Sequence, residues 1–181
     1  MIVMKFGGTS VQDAAAIDRA AAIVRGRLPQ KPVVVVSAMS KVTDALLAMG
    51  REAGDGNRDG ALDFSRGLRE RHYNTASELL GTSIFTGFHS ELEADFDALD
   101  ELLRGISAVG EITPRTSDLV VSFGERVSSK IVSATFQARD MSAVHVDARD
   151  ILLTDNTHTR AVPQFEETYQ RFQAQDRKSV V

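Results

Sequence analysis

Hydrophobic residues in the first 50 positions switch between short strand-like runs and helical spacing. The apolar run Ile2–Phe6 ends at Gly7-Gly8, which predicts a buried strand followed by a turn. Four consecutive valines, Val33–Val36, are typical of a strand covered on both faces. Between them, apolar residues follow helical spacing, at Ile17, Ala21, Val24 and Leu28. This order predicts a right-handed parallel βαβ unit within residues 1–50.

The middle of the chain has helical periodicity over most of its length. Three apolar stripes repeat every three or four residues: Val42, Leu46 and Met49; Phe64, Leu68, His72, Ala76 and Leu79; and Leu92, Phe96, Leu99 and Leu103. The glycine-rich and aspartate-rich segment 54–60 predicts a solvated loop, and the pattern assigns no conformation to the connector 81–90. We therefore expect a helical insertion at about residues 61–112.

The last third of the chain predicts one long helix and then short elements. Thr116–Ala138 follows Pro114, and its inner face should carry Leu119 or Val120, then Phe123, Val127, Ile131 and Ala134. Alternation predicts a third strand at Ala143–Asp147 and a short fourth at Asp150–Thr154, which would complete a helix-and-strand region over 116–154. The sequence predicts a final helix over Glu166–Gln175. Lys178–Val181 is typical of the beginning of another buried strand, so we expect a lobe truncated at its C-terminal end.

Composition narrows the class of protein. The net charge is −4, so no basic excess would attract nucleic acid or an anionic membrane. The longest apolar runs fall far short of the ~20 residues of a membrane helix. Zero cysteines exclude disulfides and thiolate catalysis, which fits a cytoplasmic protein. The four histidines lack metal-ligand spacing, so we assign no residue of this chain to a metal.

A glycine turn with a lysine lies at the predicted end of the first strand, where open α/β sheets bind ligands. In KFGGTSV (Lys5–Val11), glycines would let backbone N–H groups approach an anion, and the lysine would add positive charge. Thr9 or Ser10 could cap the following helix. The alternative is an ordinary tight turn with a helix cap and a solvated lysine.

Four segments together resemble the aspartokinases, a group within the amino-acid kinases. They are Lys5–Val11 (KFGGTSV), Val34–Thr43 (VVVSAMSKVT), Asp118–Ser128 (DLVVSFGERVS) and Val144–Thr154 (VHVDARDILLT). The resemblance implies an α/β fold of the amino-acid-kinase (carbamate-kinase-like) type, a three-layer parallel-sheet sandwich. Residues 1–181 would form its N-terminal lobe with a helical insertion, and the complete enzyme would form a homo-oligomer, a dimer.

The resemblance also implies an activity and a set of site residues. Aspartokinases phosphorylate the side-chain carboxylate of L-aspartate with ATP and Mg²⁺, the first step towards lysine, threonine and methionine. Lys5 would be the catalytic residue that stabilises the transferring phosphoryl group. The implied ATP phosphate-binding residues are Lys5, Phe6, Gly7, Gly8, Thr9 and Ser10. Ser37 would lie near the reacting centre, Thr43 would contact aspartate, and Glu125 would receive its α-ammonium group.

Ordinary structural roles remain open for the implied substrate-binding residues. Glu125 could pair with its neighbour Arg126 or with Lys130 one turn later. Ser37 and Thr43 could cap a helix or bond within a loop. Asp44 is better explained as a charge in a first helical turn than as a metal ligand.

The resemblance covers only part of the family's catalytic domain. The segments that supply the adenine pocket and the substrate-binding arginine have no counterpart in residues 1–181, so we expect this chain alone to be inactive. Two other hypotheses concern the parent protein: a bifunctional aspartokinase–homoserine dehydrogenase, and a non-catalytic amino-acid-kinase-like binding module.

Overall fold

A computed structural model describes the backbone of residues 1–178 and the side chains of residues 1–174. The chain divides into two compact units, Met1–Ala143 and Val144–Val181. The strand predicted to begin at Lys178 lies outside the described residues, except that Lys178 itself ends a helix. Among the described residues, no helix combines the length and apolar composition that crossing a membrane requires.

The first unit contains the predicted βαβ motif. Strands β1 (Ile2–Phe6) and β2 (Pro32–Val36) pair in parallel, with Lys5 opposite Val35, and helix α1 (Ala14–Arg25) connects them. The prediction that β2 is covered on both faces is wrong for the described chain, because Val35 is 45% exposed. Side chains alternate across the sheet, so Phe6 faces the core while Lys5 is exposed.

Two helices besides α1 contribute to the core around this motif. They are α2 (Val42–Gly54) and α4 (Pro114–Ala138). The predicted inner faces of these two helices are confirmed, with Val120 rather than Leu119 buried on α4 and with Ala134 only partly buried. The larger apolar side chains that are fully buried on the surrounding helices include Ile17, Val42, Leu46, Met49, Leu92, Leu99, Leu103 and Ile131.

The predicted helical insertion is a helical hairpin, α3 (Arg58–Val109), whose two halves reverse direction near Gly81 (φ 66°, ψ 166°). Contacts such as Ser65 with Asp100 and Arg69 with Glu93 show that the halves are antiparallel. The unassigned connector 81–90 is therefore helical after Gly81. Phe64 was expected on the buried stripe, but it is 50% exposed. The residues Ala61 and Ser65 are buried in that turn instead.

The solvated loop predicted over 54–60 is shorter than expected. Gly54 ends α2 and the hairpin begins at Arg58, which leaves only residues 55–57 between the two helices. The Asn57 side chain accepts a hydrogen bond from the Gly60 N–H (3.1 Å) and so caps the hairpin. This cap extends the helix through Asp59 and Gly60.

Neither of the two strands predicted within residues 143–154 forms in the structure. Residues 143–147 have no regular secondary structure, and Ala148–Ile151 forms a short helix, α5, which overlaps the first two residues of the predicted fourth strand. Asp147 accepts from the Arg149 N–H (3.0 Å) and starts that helix. The predicted last helix is confirmed as α6 (Phe165–Lys178).

Candidate functional site

The chain leaves β1 through a tight turn. Gly7 precedes a single 3₁₀ turn, Gly8–Val11, in which the Ser10 N–H donates to the Gly7 carbonyl (2.8 Å). Thr9 and Ser10 do not cap α1, because that role belongs to Asp13, which accepts from the Ala16 N–H (2.8 Å). This bond, with a second from Gln12, lowers the pKa of Asp13. The hydroxyls of Thr9 and Ser10 therefore lie on exposed residues of the turn.

The two glycines of this turn have different surroundings. A Cβ added to Gly8 would lie 3.0 Å from the Ala38 carbonyl oxygen, so Gly8 permits the close approach of the segment after β2. A Cβ added to Gly7 would meet nothing within 4 Å. Open space beside the Gly7 backbone fits a ligand that approaches the main chain, as a phosphate does.

The segment that follows β2, residues 37–41, lies against the glycine turn. We call it the Ser37 loop. Its Ser37 N–H donates to the Phe6 carbonyl (3.1 Å), and its Ser40 N–H donates to the Gly8 carbonyl (3.1 Å). Lys41 then adopts a left-handed conformation (φ 65°) and turns the chain into α2. As a result Thr43 lies in the first turn of α2, together with Asp44, which is exposed as expected.

Helix α4 approaches the Ser37 loop at Gly124. A Cβ at Gly124 would lie 2.9 Å from the Ala38 Cβ and 3.2 Å from side-chain atoms of Leu46 and Val42. The absence of a side chain at Gly124 therefore sets the distance between α4 and the loop. Since Glu125 is the next residue, its exposed side chain belongs to the helical turn that contacts the Ser37 loop.

Glu125 does not form either of the ion pairs that its neighbours could offer. The Arg126 guanidinium donates to Asp95 (2.9 Å) and stacks over the Phe123 ring (4.4 Å). The Lys130 ammonium also bonds Asp95 (2.7 Å). Within the described part of the chain, no cation or hydrogen-bond donor lies at bonding distance from Glu125. Its carboxylate remains available to an external cation.

Lys5 and Phe6 point to opposite faces of β1. The Lys5 side chain is exposed on the uncovered face, and among the described residues it has no ion-pair partner. The Phe6 ring is buried in the core, and the Phe6 carbonyl already accepts from Ser37. The structure thus brings Lys5, Gly7, Gly8 and Ser37 to one edge of the sheet but keeps the Phe6 side chain away from it.

Two residues outside the predicted site give weak or no signal in the sequence. Asp95 is a charge on the apolar stripe of the second hairpin helix, and that unusual position could have identified it. Arg71 on the first hairpin helix donates to backbone carbonyls of Ser40 and Gln12. Carbonyls exist at every position, so no pattern of residue types predicts the contacts of Arg71.

Two plant proteins are similar in sequence to this chain. The chain is 35% identical over 172 residues to the chloroplastic bifunctional aspartokinase/homoserine dehydrogenase 1 of Arabidopsis thaliana, covering 94% of this chain and 19% of that protein. It is 36% identical over 164 residues to the chloroplastic aspartokinase 2 of the same plant, covering 88% of this chain and 29% of the relative. The chain thus spans less than a third of the length of these relatives.

A solved structure shares the fold. The crystal structure of E. coli aspartokinase III in complex with aspartate and ADP (R-state) superposes with a TM-score of 0.83 at 25% identity, over 97% of this chain and 37% of that one. The predicted fold class, an N-terminal lobe of the amino-acid-kinase type, is therefore confirmed. Residues 1–176 match the model of the amino acid kinase family. The chain belongs to the amino acid kinase family, and the resemblance to aspartokinases is confirmed.

Proposed function

We propose that the protein containing this chain transfers the γ-phosphoryl group of ATP to the side-chain carboxylate of L-aspartate, giving 4-phospho-L-aspartate and ADP. The observation that carries the proposal is the meeting of three segments at one edge of the sheet: the glycine turn, the Ser37 loop and the turn of α4 beside Glu125. The structural relative named above binds aspartate and ADP, which supports the same pair of ligands here.

The nucleotide half of the proposal rests on residues 5–10. Phosphoryl transfer depends on positioning and on neutralisation of charge more than on covalent chemistry. The unpaired Lys5 ammonium would stabilise the transferring group as the catalytic residue. The backbone N–H groups of Gly7 and Gly8 and the hydroxyls of Thr9 and Ser10 would hold the phosphates, with Phe6 contributing only its main chain. Mg²⁺ would arrive with ATP, and we assign it no ligand from this chain.

The aspartate half rests on residues of three segments. An ammonium group offers only hydrogen-bond donors, so a free carboxylate is its natural partner. Glu125 meets this requirement because Asp95 occupies both neighbouring cations. Ser37 would lie beside the reacting carboxylate, and Thr43 would contact aspartate from the first turn of α2.

The proposal concerns the longer parent protein. The adenine pocket and the arginine for the substrate carboxylate would come from residues that this chain does not contain, so the isolated chain should be inactive. We also propose that the parent protein forms a homodimer and is located in the cytoplasm. It would catalyse the first step of lysine, threonine and methionine synthesis.

The activity is tested by trapping aspartyl phosphate as its hydroxamate, using the full-length parent. Lys5→Ala should abolish turnover, and Glu125→Gln should raise the KM for aspartate, because each removes one charge that a ligand needs. Lys31→Ala and Glu101→Gln remove exposed charges elsewhere and should leave turnover unchanged. An inactive but folded parent would contradict the proposal and favour a non-catalytic binding module.

Replacing the two glycines separately tests the phosphate site. Gly7→Ala should leave the melting temperature unchanged, because a Cβ there meets no atom of the chain, yet it should raise the KM for ATP. Gly8→Ala should lower the melting temperature, because its Cβ would crowd the Ala38 carbonyl. Normal ATP kinetics in the Gly7 variant would remove the turn from the nucleotide site.

A bifunctional enzyme is the second candidate. The relative at 35% identity is an aspartokinase fused to homoserine dehydrogenase. The parent would then also oxidise a nicotinamide cofactor in the presence of aspartate semialdehyde, which a spectrophotometric assay detects. A parent of about the length of aspartokinase 2 would exclude the fusion.

A further inference from the structure

Arg71, in the first half of the α3 hairpin, contacts both segments that border the candidate site. One guanidinium nitrogen donates to the Ser40 carbonyl (2.9 Å), and the other terminal nitrogen donates to the Gln12 carbonyl (3.0 Å). Ser40 belongs to the Ser37 loop, and Gln12 directly follows the 3₁₀ turn. A single side chain therefore connects the end of the glycine turn to the Ser37 loop.

The chemistry of the guanidinium group suits this connection. Its donors have a fixed planar arrangement, so two acceptors bonded to them are held at a fixed separation. A lysine ammonium would act as a flexible point charge and would not fix that separation. Arg71 is half-buried, and among the described residues it makes no ion pair, so both bonds go to backbone carbonyls.

Few other interactions set the distance between these segments. The Ser40 N–H to Gly8 carbonyl bond joins them directly, and Ser40 thus bonds the turn through its N–H and Arg71 through its carbonyl. If Arg71 is removed, the Ser40 and Gln12 carbonyls lose these donors, while the Ser40–Gly8 bond and the Ser37–Phe6 bond at the strand ends remain, and neither of those bonds reaches Gln12.

We propose that Arg71 is a positioning residue, which holds the glycine turn and the Ser37 loop at the separation that phosphoryl transfer requires. Its effect on catalysis rests on the proposed function, whereas its effect on the two segments does not. Arg71 touches neither substrate in this proposal and acts only through the backbone of Gln12 and Ser40.

The structural part is tested by amide hydrogen exchange in the full-length parent. In Arg71→Ala, the amides of Ser10 and Ser40 should exchange faster, because their bonds to Gly7 and Gly8 open more often. Arg69→Ala is the matched control, since Arg69 lies on the same helix but bonds Glu93, Asp97 and Asp100 inside the hairpin. Its exchange effect should be confined to α3.

The catalytic part is tested with the hydroxamate assay. Arg71→Ala should lower kcat about 10- to 100-fold, the scale expected for a misplacement near 1 Å, and guanidinium ions at low concentration should restore part of it. Arg71→Lys should show an intermediate loss without rescue, and it serves as the test if the alanine variant does not fold.

Unchanged exchange at Ser10 and Ser40, or an equal change in the Arg69 variant, would overturn the positioning role. Faster exchange with unchanged kcat would limit Arg71 to a structural contact and would also overturn it. A wild-type parent without kinase activity would contradict the proposed function, while the exchange data would still decide whether Arg71 holds the segments.

Discussion

At the scale of single residues, Asp95 determines which charges remain available near the candidate site. Its side chain is only 5% exposed, and it binds both Arg126 and Lys130. Those are the two cations that Glu125 could otherwise have attracted. A buried carboxylate on a different helix thus keeps the Glu125 carboxylate unpaired, which sequence spacing alone could not indicate.

Removing Asp95 should therefore be costly. In Asp95→Ala, two mostly buried cations lose their shared buried partner, and we expect the free energy of unfolding to fall by about 2–4 kcal/mol. Glu91→Ala removes the other, exposed partner of Lys130 and should cost less than about 1 kcal/mol. Urea denaturation of both variants measures the difference. Equal losses of stability in the two variants would show that the contribution of Asp95 does not come from its burial.

His72 is a second residue whose environment controls its chemistry. It is buried between the hairpin helices, where its Nδ1–H donates to the Leu68 carbonyl (2.7 Å) and its ring contacts Phe96 edge-on. Burial lowers the pKa of His72 from its usual 6.5 to about 4. Its burial confirms the predicted place of His72 on the inner stripe of the first hairpin helix.

The lowered pKa of His72 predicts a pH dependence of stability. Between the two pKa values the unfolded chain binds a proton that the folded chain does not, so stability is lost as the pH falls below about 6.5. From about pH 7 to about pH 5, His72 should account for a loss of about 2 kcal/mol. In His72→Gln and His72→Phe the urea-derived stability should fall less steeply over this range. Parallel profiles in wild type and both variants would contradict the assignment.

At the scale of elements, the close approach of α4 to the Ser37 loop depends on Gly124, which has no side chain. Gly124→Ala should destabilise the protein by about 1–3 kcal/mol, because the added Cβ would overlap Ala38 and press on α2. Gly105→Ala is the matched control on α3, where a Cβ meets nothing within 4 Å. That variant should be stabilised by up to about 1 kcal/mol through helix propensity. Thermal unfolding of the two variants measures both changes in stability. A more stable Gly124 variant would show that Gly124 does not limit how closely α4 approaches the Ser37 loop.

The elements that the sequence predicts correctly are those with long or repeated hydrophobic patterns. The βαβ unit and the long helices follow from periodicity, because burial of one face dominates their energetics. The two strands predicted within 143–154 failed for a different reason. A strand needs a neighbour to bond its backbone, and alternation cannot supply one, whereas Asp147 can cap a helix from its own side chain.

The candidate site was only partly accessible to prediction. The motifs placed Lys5, Gly8 and Ser37 correctly at strand ends, where the structure has them. They gave no reason to include Arg71, since its partners are backbone carbonyls distant in sequence. They also left two partners open for Glu125, and the structure excludes both.

At the scale of the whole molecule, one face of the β1–β2 sheet is uncovered in the described chain and carries exposed valines beside Lys5. Val3 is 67% exposed and Val35 is 45% exposed. Exposed valines on an uncovered sheet face favour association between copies. Val3→Thr combined with Val35→Thr keeps β-branched shape and should reduce self-association of the isolated chain, as measured by light scattering. Leu119→Thr, at an exposed site on α4, is the control and should have no effect.

The contacts of Arg71 also have a consequence for the order of folding. Arg71 lies 59 residues after Gln12 and 31 residues after Ser40. During synthesis the glycine turn would therefore leave the ribosome well before the arginine that holds it, and the hairpin must dock before the two segments become fixed. Since long loops close at an entropic cost, the site should be among the last regions of this lobe to become rigid. A nascent chain that ends before residue 58 would contain every residue that we propose to bind phosphate and still lack the side chain that joins the end of the glycine turn to the Ser37 loop.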